Sequence, residues 1–221
     1  MTLMYSKKKK CAVCRKRSKY SLLKSTNTSG YIDLDTRKPE MERSTIDLWV
    51  QRCSSCGYCA PDISERMLNA KIIVQSDSYK KQLNDPEFSR LANSFLCCSI
   101  IQENAEEYAE AGWSNIYAAW ACDDADLIIQ SQNCRMKAVV LLQKAKENGQ
   151  MYGQDIKSEV VIMVDLLRRS CQFEKALNLS EKELKNNPEK SIKDVLQFQK
   201  KLINKSDVAC YNFGDAIIEN G

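Results

Sequence analysis

Cysteine spacing carries the clearest chemistry in this chain. Cys11 and Cys14 stand two residues apart, and so do Cys53 and Cys56. A pair at that spacing aims both sulfurs at one tetrahedral cation from a tight turn, and two pairs complete a four-thiolate shell. Cys11, Cys14, Cys53 and Cys56 are therefore the candidate ligands of a structural Zn²⁺ site. Gly57 follows the second pair, where φ > 0 lets backbone N–H groups turn back toward the thiolates. Arg15 holds the matching place in the first turn and suits it less well. An iron–sulfur cluster is the competing occupant, because sulfur shells accept iron too. A redox dithiol of the thioredoxin kind needs a CxxC that opens a helix in a βαβ unit, and the flanking sequence reads as strands instead. Cys59 extends the second pair to CxxCxxC and reads as a spare thiol beside the site. Cys97, Cys98, Cys122, Cys134, Cys171 and Cys210 lie in or beside helical segments without that spacing and read as small buried residues.

Other chemistry is thinly represented. The chain has no histidine, which removes Ser-His-Asp and Cys-His catalysis and mixed Cys/His zinc fingers. Its seven glycines form neither GxGxxG nor GxxxxGK[ST], so no phosphate-cradling loop is written here. Asp123, Asp124 and Asp126 put three acids in four residues, but nothing nearby completes a cation site, and they read as a solvated helix end.

The elements that must position the thiols come next. Between the pairs lie 38 residues, more than the roughly 15 to 20 of a common ribbon. Tyr31 to Asp35 alternates like a short strand. Ile46, Leu48 and Val50 alternate with polar residues and predict a strand running into Cys53, so that the knuckle sits at a hairpin tip. Lys7 to Lys10 read as a solvated, charged tail. From Met1 to Arg52 there are 13 Lys/Arg and 5 Asp/Glu, a balance of +8 that leaves −4 for the rest of the +4 chain. The head is basic and the body mildly acidic.

The order CxxC, then Asp33, Asp35 and Arg37, a Trp49-bearing strand, CxxCGY and Ala60, with Ala119-Trp120 in mid-chain, resembles a family of bacterial proteins known only as a domain of unknown function. The resemblance implies a metal-binding head on a tetratricopeptide-like body, with no established activity. The chain departs from that pattern at Ala12, Arg15 and Ser54.

The remainder reads as helical. Residues 61–87 form a linker with a short helix suggested by Ile63, Met67 and Ala70. Phe88, Leu91, Ala92, Phe95 and Leu96 recur at helical spacing. Asn104 with Glu107 resembles a capping box that opens a second helix, whose stripe runs Ala105, Tyr108, Ala109, Gly112, Trp113, Ile116, Tyr117 and Trp120. That stripe reads as a helix–helix core rather than an aromatic ligand groove. Met136, Val139, Val140, Leu142 and Ala145 predict a further inward-facing helix that stops at Gly149. With Lys157 as the first position of a tetratricopeptide unit of about 34 residues, Ala176 and Pro188 fall where that repeat favours alanine and proline. Ile192, Val195, Leu196, Gln199, Leu202 and Ile203 predict a capping helix.

The expected architecture is thus mainly α: a small β zinc-ribbon-like head over 1–60, the linker over 61–87, and an antiparallel, tetratricopeptide-like helical body over 88–221. The expected function is that of a zinc-stabilised adaptor whose helical body binds a protein or peptide. A nucleic-acid-binding ribbon, using the basic head, and a metal- or thiol-dependent enzyme are the alternatives. The longest apolar run is far too short to span a bilayer. Eleven cysteines without an export signal point to a reducing compartment and a cytoplasmic location.

Overall fold

The computed structural model describes residues 1–154 and 156–220. Two strands, β1 (Leu3–Lys10) and β2 (Arg17–Ser25), pair antiparallel into a hairpin whose turn contains Cys11 and Cys14. The lysine run is thus a strand and not a loose tail. Its register with β2 sets Lys7 opposite Tyr20 and Lys10 opposite Arg17. A second, much shorter ladder joins β3 (Gln51–Arg52) to β4 (Cys59–Ala60) around Cys53 and Cys56.

Two expected strands are absent. Ile46 and Leu48 lie in a 3₁₀-helix over Arg43–Leu48, with Thr45 and Ile46 buried. In Tyr31 to Asp35 only Asp33 makes a bridge, to Asn212, before the chain turns. At both places consecutive residues are buried, Asp33 to Asp35 in one and Thr45 with Ile46 in the other, so the alternation in the sequence does not become two faces of a strand.

Two short helices follow within 61–87: α1 (Ala70–Ile73) and α2 (Asp77–Leu83), the latter capped by the Ser76 side chain, which accepts from Tyr79 N. The long helices are α3 (Arg90–Asn104), α4 (Tyr108–Asp123), α5 (Ile128–Glu147), α6 (Ile156–Arg169), α7 (Phe173–Lys185), α8 (Lys190–Asn204) and α9 (Phe213–Asn220). Ser89 caps α3 by accepting from Ala92 N at 3.1 Å. Asn104 closes α3 with its Nδ2 on Ile100 O, so it forms no capping box with Glu107, which caps α4 without a side-chain bond.

Five of these helices stop the same way. A residue with φ between +53° and +70° follows α3, α4, α5, α6 and α8: Glu106, Asp126, Gly149, Cys171 and Ser206. The next N–H then reaches back to a carbonyl five residues earlier: Glu107 to Gln102, Leu127 to Cys122, Gln150 to Ala145, Gln172 to Leu167, and Asp207 to Leu202. This is the Schellman termination, which satisfies carbonyls that the helix leaves unpaired.

Helix α4 packs between α3 and α5, and α6, α7 and α8 pack on one another. Helix α4 is buried nearly all round, with Ala111, Ile116, Ala118, Ala119 and Cys122 at 0% exposure. In α5, Val139, Leu142 and Ala145 are buried as expected, whereas Met136 and Val140 are exposed. The segment after α8 returns to the head: Leu34 N donates to Tyr211 O at 2.9 Å and Phe213 N to Ile32 O at 3.0 Å. Among the described residues, no helix is long and apolar enough to cross a membrane.

Candidate metal centre

Each cysteine pair sits in a turn of the same construction. In the first, Cys11 N donates to Lys16 O and Arg15 N to Cys11 O, both at 2.9 Å; in the second, Cys53 N donates to Tyr58 O at 2.8 Å and Gly57 N to Cys53 O at 3.0 Å. The residue after the second cysteine has φ +67° at Arg15 and φ +75° at Gly57. The two turns are conformational twins, and the first accepts a left-handed arginine where the second uses glycine.

The turns face each other. Cys11 Sγ lies 3.7 Å from Cys56 Sγ, and Cys14 Sγ lies 3.5 Å from Cys53 Sγ. All four sulfurs fall within 4.8 Å of one another. A tetrahedron with metal–sulfur bonds of about 2.3 Å has edges of about 3.8 Å, so the cluster has the size of a four-thiolate shell. Cys59 is outside it: its buried thiol donates to Gly57 O at 3.3 Å.

The thiols also respond to their crowding. Burial pushes Cys11 and Cys56 above the ordinary 9.0. At Cys14 burial acts the same way, but the Lys16 N–H and the neighbouring thiols of Cys53 and Cys56 outweigh it and bring the pKa to about 7. Four thiols at these distances resist joint ionisation unless a cation lies among them. A divalent ion supplies that charge and deprotonates its ligands outright.

Surrounding residues hold both turns. Ala12 N donates to Ile63 O at 2.9 Å, tying the first turn to the chain beyond the second. Tyr79, fully buried on α2, donates its hydroxyl to Gly57 O at 2.9 Å and accepts from Cys59 N at 3.1 Å. Tyr58, also fully buried, donates to Glu65 O at 2.7 Å. Nothing in the sequence marks Tyr79, because its contacts lie 20 and 22 residues away. Lys9 Nζ is 2.7 Å from Asp62 and clamps the hairpin from the other side.

A second cluster of charge lies behind the head. Asp35, with no exposure, accepts from Trp120 Nε1 at 2.8 Å and from Arg169 Nη1 at 3.1 Å, with Arg135 Nη2 at 3.8 Å. Asp123 accepts from Arg135 Nη2 at 2.5 Å and Arg169 Nη2 at 2.9 Å, and also from the Ser131 hydroxyl. Arg37 reaches Asp124 at 2.6 Å. Asp123 is thus an anchor of the core and not a solvated helix end, whereas Asp126 is exposed. Cys97, Cys98, Cys122 and Cys134 are buried as expected; Cys171 and Cys210 are exposed, the former because it occupies the turn that ends α6.

The aromatic stripe of α4 divides. Trp120 and Ile116 are buried, while Trp113 and Tyr117 are half-buried and, with Trp49 and Phe95, line a cavity of about 430 Å³. Trp49 meets Tyr117 edge-on at 5.2 Å and Trp120 at 6.3 Å. The stripe packs against the core as expected, and the cavity opens beside its half-buried members. No family model, curated protein or solved structure matches the chain.

Proposed function

We propose that the chain is a zinc-stabilised interaction protein of the bacterial cytoplasm. One Zn²⁺ held by Cys11, Cys14, Cys53 and Cys56 ties the two turns together, and the helices behind them present a groove to a protein or peptide. The observation that carries this reading is the convergence of four sulfurs within 4.8 Å from pairs far apart in the chain. Zinc suits a closed shell of four thiolates that leaves no coordination position for a substrate. It would contribute on the order of 10 kcal/mol to organising a site around a hairpin that is marginal by itself.

The groove supports the second half of the reading. Its aromatic walls, with Gln102, Ser114 and Glu110 at the edge, combine apolar area with a few polar groups, as peptide and ligand grooves do. The resemblance to bacterial proteins with a tetratricopeptide-like body points the same way. Helices α6 and α7 lie over the stretch read as such a unit, and the burial of Ala176 and the place of Pro188 just beyond α7 support that reading.

Elemental analysis of protein purified without added metal should return one zinc per chain, and Cys14→Ser with Cys56→Ser should abolish it. Bound iron, or folded protein free of metal, would overturn the metal half. Peptides selected on the intact protein from a random library should bind the Trp113→Ala variant at least about tenfold more weakly. Binders indifferent to that change, or no binders, would remove the groove as the interaction site.

A further inference from the structure

The register of β1 against β2 sets Lys8 opposite Lys19 and Lys10 opposite Arg17. Residues directly opposite in an antiparallel pair project to one face, and alternate residues along a strand share it. One face of the hairpin therefore carries Lys8, Lys10, Arg17 and Lys19 as two adjacent like-charged pairs, and all four are exposed. The other face carries Tyr5, Lys7, Lys9, Ser18, Tyr20 and Leu22, of which Lys9, Ser18, Tyr20 and Leu22 are half-buried; on the cation face only Leu23, at the far end, is. Lys9 is held there by Asp62 and Tyr20 packs against the core. The four cations are exposed to solvent, with Lys19 at the rim of a cavity that Asp47, Arg52 and Arg90 also line.

Like charges directly opposite one another destabilise a ladder. No acid of the hairpin itself relieves them: from Met1 to Ile32 the chain has nine Lys/Arg and no Asp/Glu, and Asp47, which shares a cavity with Lys19, forms no ion pair with it. Among the described residues, the ion pair of Lys9 with Asp62 is the one the hairpin makes. A repulsive, solvent-facing array persists at a cost that a polyanion would offset. We propose that this face is a nucleic-acid-binding surface, on which Lys8, Lys10, Arg17 and Lys19 contact backbone phosphates and Arg15 and Lys16 extend the contact around the turn.

The dimensions agree. Cross-strand neighbours lie about 5 Å apart and residues two along a strand about 6.7 Å apart, against phosphates that repeat every 3.4 Å or so of duplex rise on each strand. A two-stranded ribbon is also an element that the major groove admits. A lipid surface fits less well, since an interfacial element needs an apolar face. Here Ser6 and Ser21 adjoin the cations, and Met4 and Leu23 stand only at the far end. The inference goes beyond the zinc reading and does not depend on which metal is bound, because strand register alone defines the face.

The test is fluorescence anisotropy of the intact protein with labelled single-stranded DNA, single-stranded RNA and duplex DNA, from about 50 to 200 mM salt. The four strand cations predict a log–log salt slope of about −3 on single strands and about −3.6 on duplex, and the contacts of Arg15 and Lys16 take it toward about −4 and about −5.4. Lys8→Gln with Lys19→Gln should reduce the magnitude of that slope by about 1.5 and weaken binding at low salt at least tenfold or so. Lys80→Gln with Lys81→Gln, on exposed α2 positions, should change neither. Circular dichroism and metal content of every variant separate loss of this face from loss of the metal centre. The arm that binds tightest identifies the class of nucleic acid. No binding at low salt, a slope near zero, equal effects of the two double variants, or preference for anionic vesicles or polyglutamate over every oligonucleotide would overturn the proposal.

Discussion

At Gly57 the backbone has φ +75°, and a Cβ built there would meet the Leu83 methyl at 2.3 Å. Gly57→Ala should therefore cost about 2 kcal/mol, from the left-handed conformation and the displaced leucine together. In a chain of this size that is roughly a 5 °C fall in melting temperature. Arg15 holds the twin position at φ +67°, so Arg15→Gly should do the opposite and raise stability by about 1 kcal/mol. Calorimetry of the two variants checks both signs, and equal signs would mean that the turns are not equivalent. The four thiols were legible because CxxC is a local signal: two residues of spacing decide where both sulfurs point. Asp35 was not, since its partners Trp120 and Arg169 lie 85 and 134 residues away. No window along the chain contains both ends of such a contact.

Elements show the same division. The amphipathic helices could be read because their apolar residues recur every three or four positions, and α8 buries Val195, Leu196, Gln199, Leu202 and Ile203 as that period requires. Their ends were harder, because Glu106, Asp126, Cys171 and Ser206 adopt the left-handed stop that sequence reasoning assigns to glycine, and only Gly149 announces itself. The β1–β2 hairpin went unread for a related reason: four consecutive lysines carry little strand propensity, and pairing with β2 overrides it. One element-level consequence is measurable at the end of α4, where Asp123 joins α5 and α6. Burial alone would raise its carboxyl; Arg135, then Arg169 and the Ser131 hydroxyl, outweigh that and hold it at about 2, against 3.8 ordinarily. Between those values the unfolded chain binds more protons than the folded one, so stability rises with pH across the window. The contribution, about 2 kcal/mol, is complete above roughly pH 4 and lost as pH falls toward 2. Denaturant titrations of the wild type should show this acid slope. Asp123→Asn should flatten it while lowering stability at neutral pH by about 3 kcal/mol, because two buried guanidiniums are left to share the single carboxylate of Asp35. An unchanged slope would place the titration elsewhere.

Across the whole molecule, the contacts divide by whether they depend on the thiol cluster. Two sets of contacts hold the N-terminal residues, and they are separate in kind. The hairpin and the two turns meet through the thiol cluster, the Ala12–Ile63 hydrogen bond and the Lys9–Asp62 pair. The stretch from Ile32 to Trp49 is instead fastened to the helices by Asp35, by Arg37 on Asp124, by backbone bonds to Tyr211 and Phe213, and by Trp49 set edge-on to Tyr117 and Trp120. With zinc as the ion, a thiol-compatible chelator at neutral pH should therefore not release the N-terminal region as one body. Four thiols confined without a cation repel as they ionise, and a two-stranded ribbon without further support is marginal. The hairpin should open, while the buried ion pairs and the edge-on aromatic contacts keep residues 32–49 in place. Hydrogen exchange reads this directly: amides of Leu3–Lys10 and Arg17–Ser25 should lose protection by an order of magnitude or more, with those around Leu34 and Thr45 unchanged. Far-ultraviolet circular dichroism should keep its helical signal, and the near-ultraviolet signal of Trp49 and Trp120 should persist. Loss of protection at Leu34 together with the hairpin would show that the ion supports the whole N-terminal half. Full protection of the hairpin would show that its ion-independent ties to the body, Ala12 to Ile63, Lys9 to Asp62 and the packing of Tyr20, suffice.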